Sequence, residues 1–171
     1  MTASVDLLTD AFARVRESVH DVLRGLSDGD VDVRVDDDAN SIGWLVWHLT
    51  RIQDDHLADV AGTDQVWQTG GWHQAFGLSY PVDATGYGHR SAEVGAFQGI
   101  TARQLADYYD AVHQHTLTYL ADIRDADLDR VVDTRWNPPV TLGVRLISVI
   151  ADDLQHVGQA ALIRGILRRR S

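Results

Sequence analysis

Three side chains in this sequence have the types and spacing to hold a metal ion. His48 lies in "GWLVWHLTR", and Asp152 and His156 lie in "DDLQHVGQA". On a helix, residues four apart sit about 40° from one another, one turn along the same face. Val149, Ile163 and Leu167 share that side, so Asp152 and His156 interrupt an apolar stripe. A carboxylate and an imidazole buried there must be paired or bound to a cation, because isolated burial is costly. His48 strengthens the cation reading, since it flanks a second stripe of Leu45, Leu49 and Ile52 and neighbours Trp44 and Trp47. Two histidines, one carboxylate and an open fourth position form a catalytic zinc pattern. Zinc is therefore the first expectation, with nickel, iron or manganese as alternatives.

Other donors compete for the same role. His56 is two turns from His48, about 12 Å along a helix axis, so the two cannot share one ion. His113 and His115 flank a third stripe on opposite sides and are expected at the surface. Asp153 and His156 have the i,i+3 spacing of carboxylate-bridged bundles, but the second such pair that a two-metal centre needs is missing. Spacing alone leaves Asp152 and Asp153 both open as the carboxylate. Arg145 lies two turns before Asp152 on the same face, placed to contact an anionic substrate or to pair with a carboxylate.

Four long helical periodicities must position these groups. The first runs through Val5, Leu8, Phe12, Val15, Val19, Val22 and Leu26. The second starts at Asn40 or Ser41, either a plausible cap, and stops near Gly62. The third opens on Thr101 and Gln104, at capping-box spacing, and reaches about Ile123. The fourth follows "NPPVT", where Thr141 can cap, and continues to about Arg169. Strand-like alternation is scarce, "RVVDTRW" being the best short candidate. The expected fold is an all-α four-helix bundle, a single domain over 1–171, with a long crossover between the second and third helices. That crossover, from about Gly62 to Gly99, holds eight glycines together with Trp67, Trp72, Phe76, Tyr80, Tyr87, His73 and His89. Long connections of this kind are functional or disordered, and the aromatics argue for an ordered excursion packed over one end of the bundle as a lid.

Composition narrows the function. The chain has 171 residues and a formal net charge of −10, which argues against a nucleic-acid or anionic-membrane surface. "DGDVDVRVDDD" fails as a calcium loop, having Val33 and Ala39 where Gly and Glu are needed, and is expected to be a solvated connector. No apolar run approaches a membrane span and no basic, apolar leader opens the chain, so a soluble cytoplasmic protein is expected. The fourth helix is also apolar away from its inward stripe, at Ile147, Ile150, Leu154 and Ala161. Such a helix is either central to the bundle or part of a symmetric contact, and a homodimer is expected. Cysteine is absent. Any thiol chemistry must then use a thiol brought in by a cosubstrate.

"WHLTR" and "DDLQHVGQA" together resemble the DinB-like metalloprotein superfamily, four-helix bundles that include bacillithiol transferases and the mycothiol-dependent maleylpyruvate isomerase. "GYGH", "PPVT" and "HVGQAALIRG" bring the chain nearest to an actinobacterial branch. The resemblance covers nearly the whole chain. It implies one metal ligand from the second helix and two, four residues apart, from the last: His48, Asp152 and His156. Asp152 departs from the pattern, since many relatives have His there and the isomerase has Glu. The resemblance further implies a metal-dependent thiol S-transferase that conjugates mycothiol, a sugar-bearing thiol, to small electrophiles. Trp72, Tyr87 and His89 on the crossover are the expected cosubstrate-binding side chains, with Trp67, Trp72 and Tyr87 suited to stacking on sugar faces. A hydrolase using a metal-activated water, and a non-catalytic bundle stapled by its metal, are the alternatives.

Overall fold

The computed structural model describes residues 2–170. Four long helices dominate: α1 (Ala3–Leu23), α3 (Ile42–Ala61), α7 (Ala102–Asp122) and α8 (Leu142–Arg170). Short helices α2 (Asp28–Val31), α4 (Val66–Thr69), α5 (Trp72–Phe76) and α6 (Ser91–Gly95) punctuate the connections. A 3₁₀ turn at Asp125–Asp129 leads into strand β1 (Val131–Asp133), which pairs antiparallel with β2 (Val140–Thr141). The all-α bundle expected from periodicity is what forms, and the "RVVDTRW" stretch supplies the first strand of the small hairpin.

Local chemistry sets the helix ends. The Ser41 hydroxyl accepts from the Trp44 amide at 3.1 Å, and Gly62 ends α3 in the left-handed conformation. Thr101 and Gln104 form the anticipated capping box at the start of α7. Thr141 closes β2, and its hydroxyl takes the Val144 amide as α8 begins.

Two apolar clusters reveal the helix directions. One joins the second half of α1, the start of α3, the start of α7 and the second half of α8. The other joins Val5, Leu8 and Phe12 of α1 to Leu57 of α3, Leu120 of α7 and Leu142 to Ile150 of α8. Hence α3 and α7 run parallel to each other and antiparallel to α1 and α8. The packed neighbours are α3 with α8, α1 with α7, α1 with α8, and α3 with α7. Parallel α3 and α7 cannot be joined by a short turn, which is why the crossover is long.

The connector at 28–38 differs from a purely solvated segment. Its residues form α2, Val31 is fully buried, and the Arg34 guanidinium donates to the Ser91 hydroxyl at 2.8 Å. Alternation of acids with valines hides one inward valine from a reading of charge alone.

The crossover is anchored by ionic groups on α3. Arg51 and Asp54 are both 0% exposed, 3.6 Å apart. Arg51 donates to the Ala84 carbonyl at 3.1 Å and to Gln65 Oε1 at 2.7 Å, and lies over the Trp67 ring. Asp54 accepts from the Val66 and Trp67 amides at the start of α4 and from the Tyr108 hydroxyl of α7. Burial raises the Asp54 pKa, against the pull of those donors and of Arg51. Removing one partner of a buried pair leaves the other uncompensated, at about 3–5 kcal/mol. Asp54→Ala should therefore lower stability by about that amount in urea unfolding, and amide exchange should accelerate first between residues 62 and 99. A variant as stable as wild type would show that the crossover is anchored elsewhere.

Candidate metal centre

His48 sits in the second turn of α3 and is 6% exposed. Trp44, one turn earlier, stacks on its ring at 4.8 Å and 14°. The His48 Nδ1–H donates to the Thr85 carbonyl of the crossover at 2.6 Å. A carbonyl only accepts, so in the neutral ring this bond fixes the proton on Nδ1 and leaves Nε2 with a free lone pair. Burial lowers the His48 pKa against the opposing pull of the Thr85 carbonyl, favouring that neutral form.

His156 repeats the arrangement on α8. Its Nδ1–H donates to the backbone carbonyl of Asp152 at 2.8 Å, one turn back, again freeing Nε2. The two imidazole rings lie 4.7 Å apart and steeply inclined. The Asp152 carboxylate completes the group, its Oδ2 buried and without a hydrogen-bond partner. One donor atom from each of His48, Asp152 and His156 lies within 4.8 Å of the others, and this is the group of its kind among the described residues. Two free Nε2 lone pairs and a carboxylate with one unpartnered oxygen, gathered in one group, fit a cation. Nothing in the set fits an anion.

The remaining sequence candidates fall into place around this group. Asp153 is fully buried rather than beside the histidines, with both oxygens unpartnered, and it interacts with Tyr109 of α7. Its burial, with Asp152 beside it, pushes its carboxyl pKa well up. His113, expected at the surface, is instead 7% exposed and stacked on Tyr109. A stripe reading places it at the margin, where a slight helix rotation decides burial. His56 pairs with Arg145, whose guanidinium also meets Asp133 at 3.0 Å. Burial and then Arg145 lower the His56 pKa. Arg145 thus has the carboxylate partner that was one of its two readings.

The three crossover candidates separate. His89 accepts from the Trp44 indole N–H at 3.3 Å and stacks on Trp47, one ring away from His48. Tyr87 is 88% exposed. Trp72 packs against Phe76 and Tyr108, and its ring contacts do not bring it to the histidines.

Sequence reasoning missed Thr85 and Gly86. Thr85 acts through its backbone carbonyl, which carries no side-chain signal. Gly86 does carry one, as the first glycine of "GYGH". Its φ is +90°, and a Cβ there would meet His48 Nδ1 at 2.8 Å and the Trp44 and Trp47 rings at 3.0 Å.

A family model described as Mycothiol-S-transferase matches residues 7–169. The chain belongs to this family. The match agrees with the DinB-like resemblance carried by "WHLTR" and "DDLQHVGQA". Among solved structures, the conserved protein of a locus from Enterococcus faecalis is 29% identical, with 96% of each chain covered and a TM-score of 0.89. No curated protein matches the sequence. No helix among the described residues is long and apolar enough to cross a membrane.

Gly86→Ala should displace the 84–86 segment from His48. The expected loss is about 1–3 kcal/mol for a strained backbone and a crowded ring, together with disappearance of a protected His48 Nδ1–H resonance in NMR spectra. Wild-type stability with that resonance intact would contradict the placement of Gly86.

Proposed function

We propose that this member of the mycothiol S-transferase family is a metal-dependent transferase that conjugates mycothiol to small electrophiles. His48, Asp152 and His156 would hold one divalent cation, zinc before nickel, iron or manganese. The observation that carries this is the pairing of each Nδ1–H with a backbone carbonyl, which leaves both Nε2 lone pairs free in a group that gathers His48, Asp152 and His156 within 4.8 Å and includes an unpartnered Asp152 oxygen. Such outer hydrogen bonds orient metal-binding imidazoles and raise their basicity. A bound divalent cation supplies the charge that keeps a thiol deprotonated near neutral pH.

The chain's own residues supply position and access. Trp44 and the 84–86 segment screen the inner side of His48 from water. Asp152 and His156 are 36% and 19% exposed, so a substrate can approach from the α8 side. For a haloarene acceptor, a carbon–sulfur bond forms as halide leaves with its bonding pair, and the thiol proton passes to solvent. The chain holds no cysteine to compete with the incoming thiol.

Elemental analysis of protein purified without a histidine tag should find about one divalent ion per site-competent chain. His156→Ala and Asp152→Asn should lose that ion and the conjugation of mycothiol to a haloarene or bimane. Asp153→Asn, which alters the core-facing neighbour, should keep the ion. Folding should survive ligand loss, since removing a buried polar partner costs about 1–3 kcal/mol against typical stabilities of about 5–15 kcal/mol. Full turnover in metal-free protein would reject the mechanism. Metal-dependent ester or amide hydrolysis without thiol would move the reading to a hydrolase, and a metal needed only for stability would make the ion a staple.

The outer face of α8 leaves Val144, Ile147, Leu154 and Leu162 exposed at 46–64%. We take this face as a homodimer contact, Ile150 being withdrawn from it into the core. Light scattering at micromolar concentration should give twice the 19.0 kDa chain mass. A monomer would remove the dimer.

A further inference from the structure

Two turns from His48 along α3 and two turns before Asp152 along α8, His56 and Arg145 meet at a second site. Past Ile52, one turn from His48, a pocket of about 580 Å³ opens between His56, Arg145, the β1–β2 hairpin and Tyr87. Thr85 lines it too, and the Thr85 carbonyl is the group that holds His48. The pocket and the candidate metal centre therefore share a wall.

Charge limits what fits. Arg135 and Arg145 line the pocket as cations, Asp55 and Asp133 as anions. Asp133 is already taken by both arginines, at 2.8 Å from Arg135 and 3.0 Å from Arg145, and Arg135 holds its carboxyl well below the usual range. An anionic ligand would have to displace Asp133 and lie near Asp55. The wall is balanced, yet rich in donors and acceptors. Arg145 Nε is buried with no partner, and Arg145 Nη1 faces the His56 ring at 3.2 Å. A hydroxyl, which donates one hydrogen bond and accepts two, suits such a surface better than a charge does.

Shape adds a second constraint. Two large exposed side chains are aromatic, Tyr87 at 88% and Trp136 at 66%, and both border this pocket. They come from unrelated segments, the crossover and the hairpin, and folding gains little from rings left in water. Rings of this kind at a pocket mouth are amphipathic platforms for a flat, partly apolar ligand face. Along α3, His48 and His56 are separated by about 12 Å. A lone cysteinyl unit, at about 3.5 Å per residue, cannot reach from one end to the other. A thiol extended by one or two rings can.

We propose that this pocket binds a neutral, hydroxyl-rich ring, the sugar or cyclitol end of the thiol cosubstrate. Tyr87 and Trp136 flank the ring, its hydroxyls meet Arg145 and Asp133, and the sulfur end lies toward His48, Asp152 and His156. The assignment rests on the thiol-transferase reading and adds where, and by what chemistry, the non-reacting part of the thiol is held.

The test uses the thiol-free N-acetylglucosaminyl-inositol portion of mycothiol, neutral because its nitrogen is acylated, titrated calorimetrically onto the full chain and onto Tyr87→Ala and Trp136→Ala. Both residues are exposed, so both variants should fold. The probe should bind wild type, and each variant should weaken it at least fivefold. The kcat/KM ratio of mycothiol over N-acetylcysteine should fall by a similar factor, with the loss mainly in KM. Unchanged probe binding in both variants, or no binding to wild type, would overturn the pocket assignment. So would benzoate binding that Trp136→Ala weakens while the sugar probe is ignored, because the pocket would then serve an anionic acceptor. The probe has no sulfur, so probe binding without turnover of any thiol would sink the transferase reading and leave the sugar pocket standing.

Discussion

A buried helix that carries ionic and polar side chains must find partners for them, and α3 is such a helix. Residues 41–51 are buried without interruption, among them His48, Thr50 and Arg51, with Gln53 and Asp54 just beyond. Water cannot satisfy these groups, and neighbouring helices have spent their backbone bonds internally. Thr50 turns back to the Val46 carbonyl and Gln53 reaches Thr116 on α7. The rest depend on the crossover. Ala84 and Thr85 offer carbonyls to Arg51 and His48, while α4 offers its first amides to Asp54. Non-helical backbone is the one part of the fold with free carbonyls at that depth. The length of the crossover and the polarity of α3 are two sides of the same requirement.

That dependence also orders the candidate site. Nδ1 of His48 is tied to the Thr85 carbonyl of the crossover, and Nδ1 of His156 to its own helix. One donor is thus held by a long-range contact and the other by a local one. Asp152, half-exposed on α8, has neither restraint beyond a 3.5 Å approach to His156. Restraint thus falls from α3 outward: the candidate donor on α3 is tied to crossover backbone, while the Asp152 Oδ2 on α8 has no hydrogen-bond partner.

Much of this was legible in the residues. Helical periodicity marked the four long helices, and Ser41, Gly62, Thr101 and Thr141 marked ends of three of them to within a residue, whereas α1 stops at Leu23, short of Leu26 on its expected stripe. His48, Asp152 and His156 were legible because polar residues interrupting an apolar stripe need a reason. Three features were not. Asp152 and Asp153 differ by 100° on the helix, and spacing could not tell which faces His48; the fold puts Asp153 in the core. His113 lies at a stripe margin, where tertiary packing settles exposure. The pocket beyond Ile52 is built from α3, α8, the crossover and the hairpin, so no local pattern announces it. Trp136 and Tyr87 sit 49 positions apart in the chain and meet only in space.

The residues from 84 to 87 bind these levels together. Ala84 is fixed by Arg51, Thr85 holds His48, Gly86 lies against Trp44 and Trp47, and Tyr87 stands in solvent at the pocket mouth. Four successive positions therefore face a buried ion pair, a candidate ligand, an aromatic core and a candidate substrate. A chain this short has no slack, at about 3.5 Å per residue. Movement of Tyr87 by a bound ring would be resisted by the Arg51 and His48 bonds on the same strand of backbone. Only glycine fits between, because the left-handed turn at φ +90° and the space beneath it admit no Cβ. The anchoring of the crossover, the orientation of His48 and the wall of the pocket consequently run through one short stretch of backbone, whereas the Tyr87 ring itself stands in solvent and is free of that core.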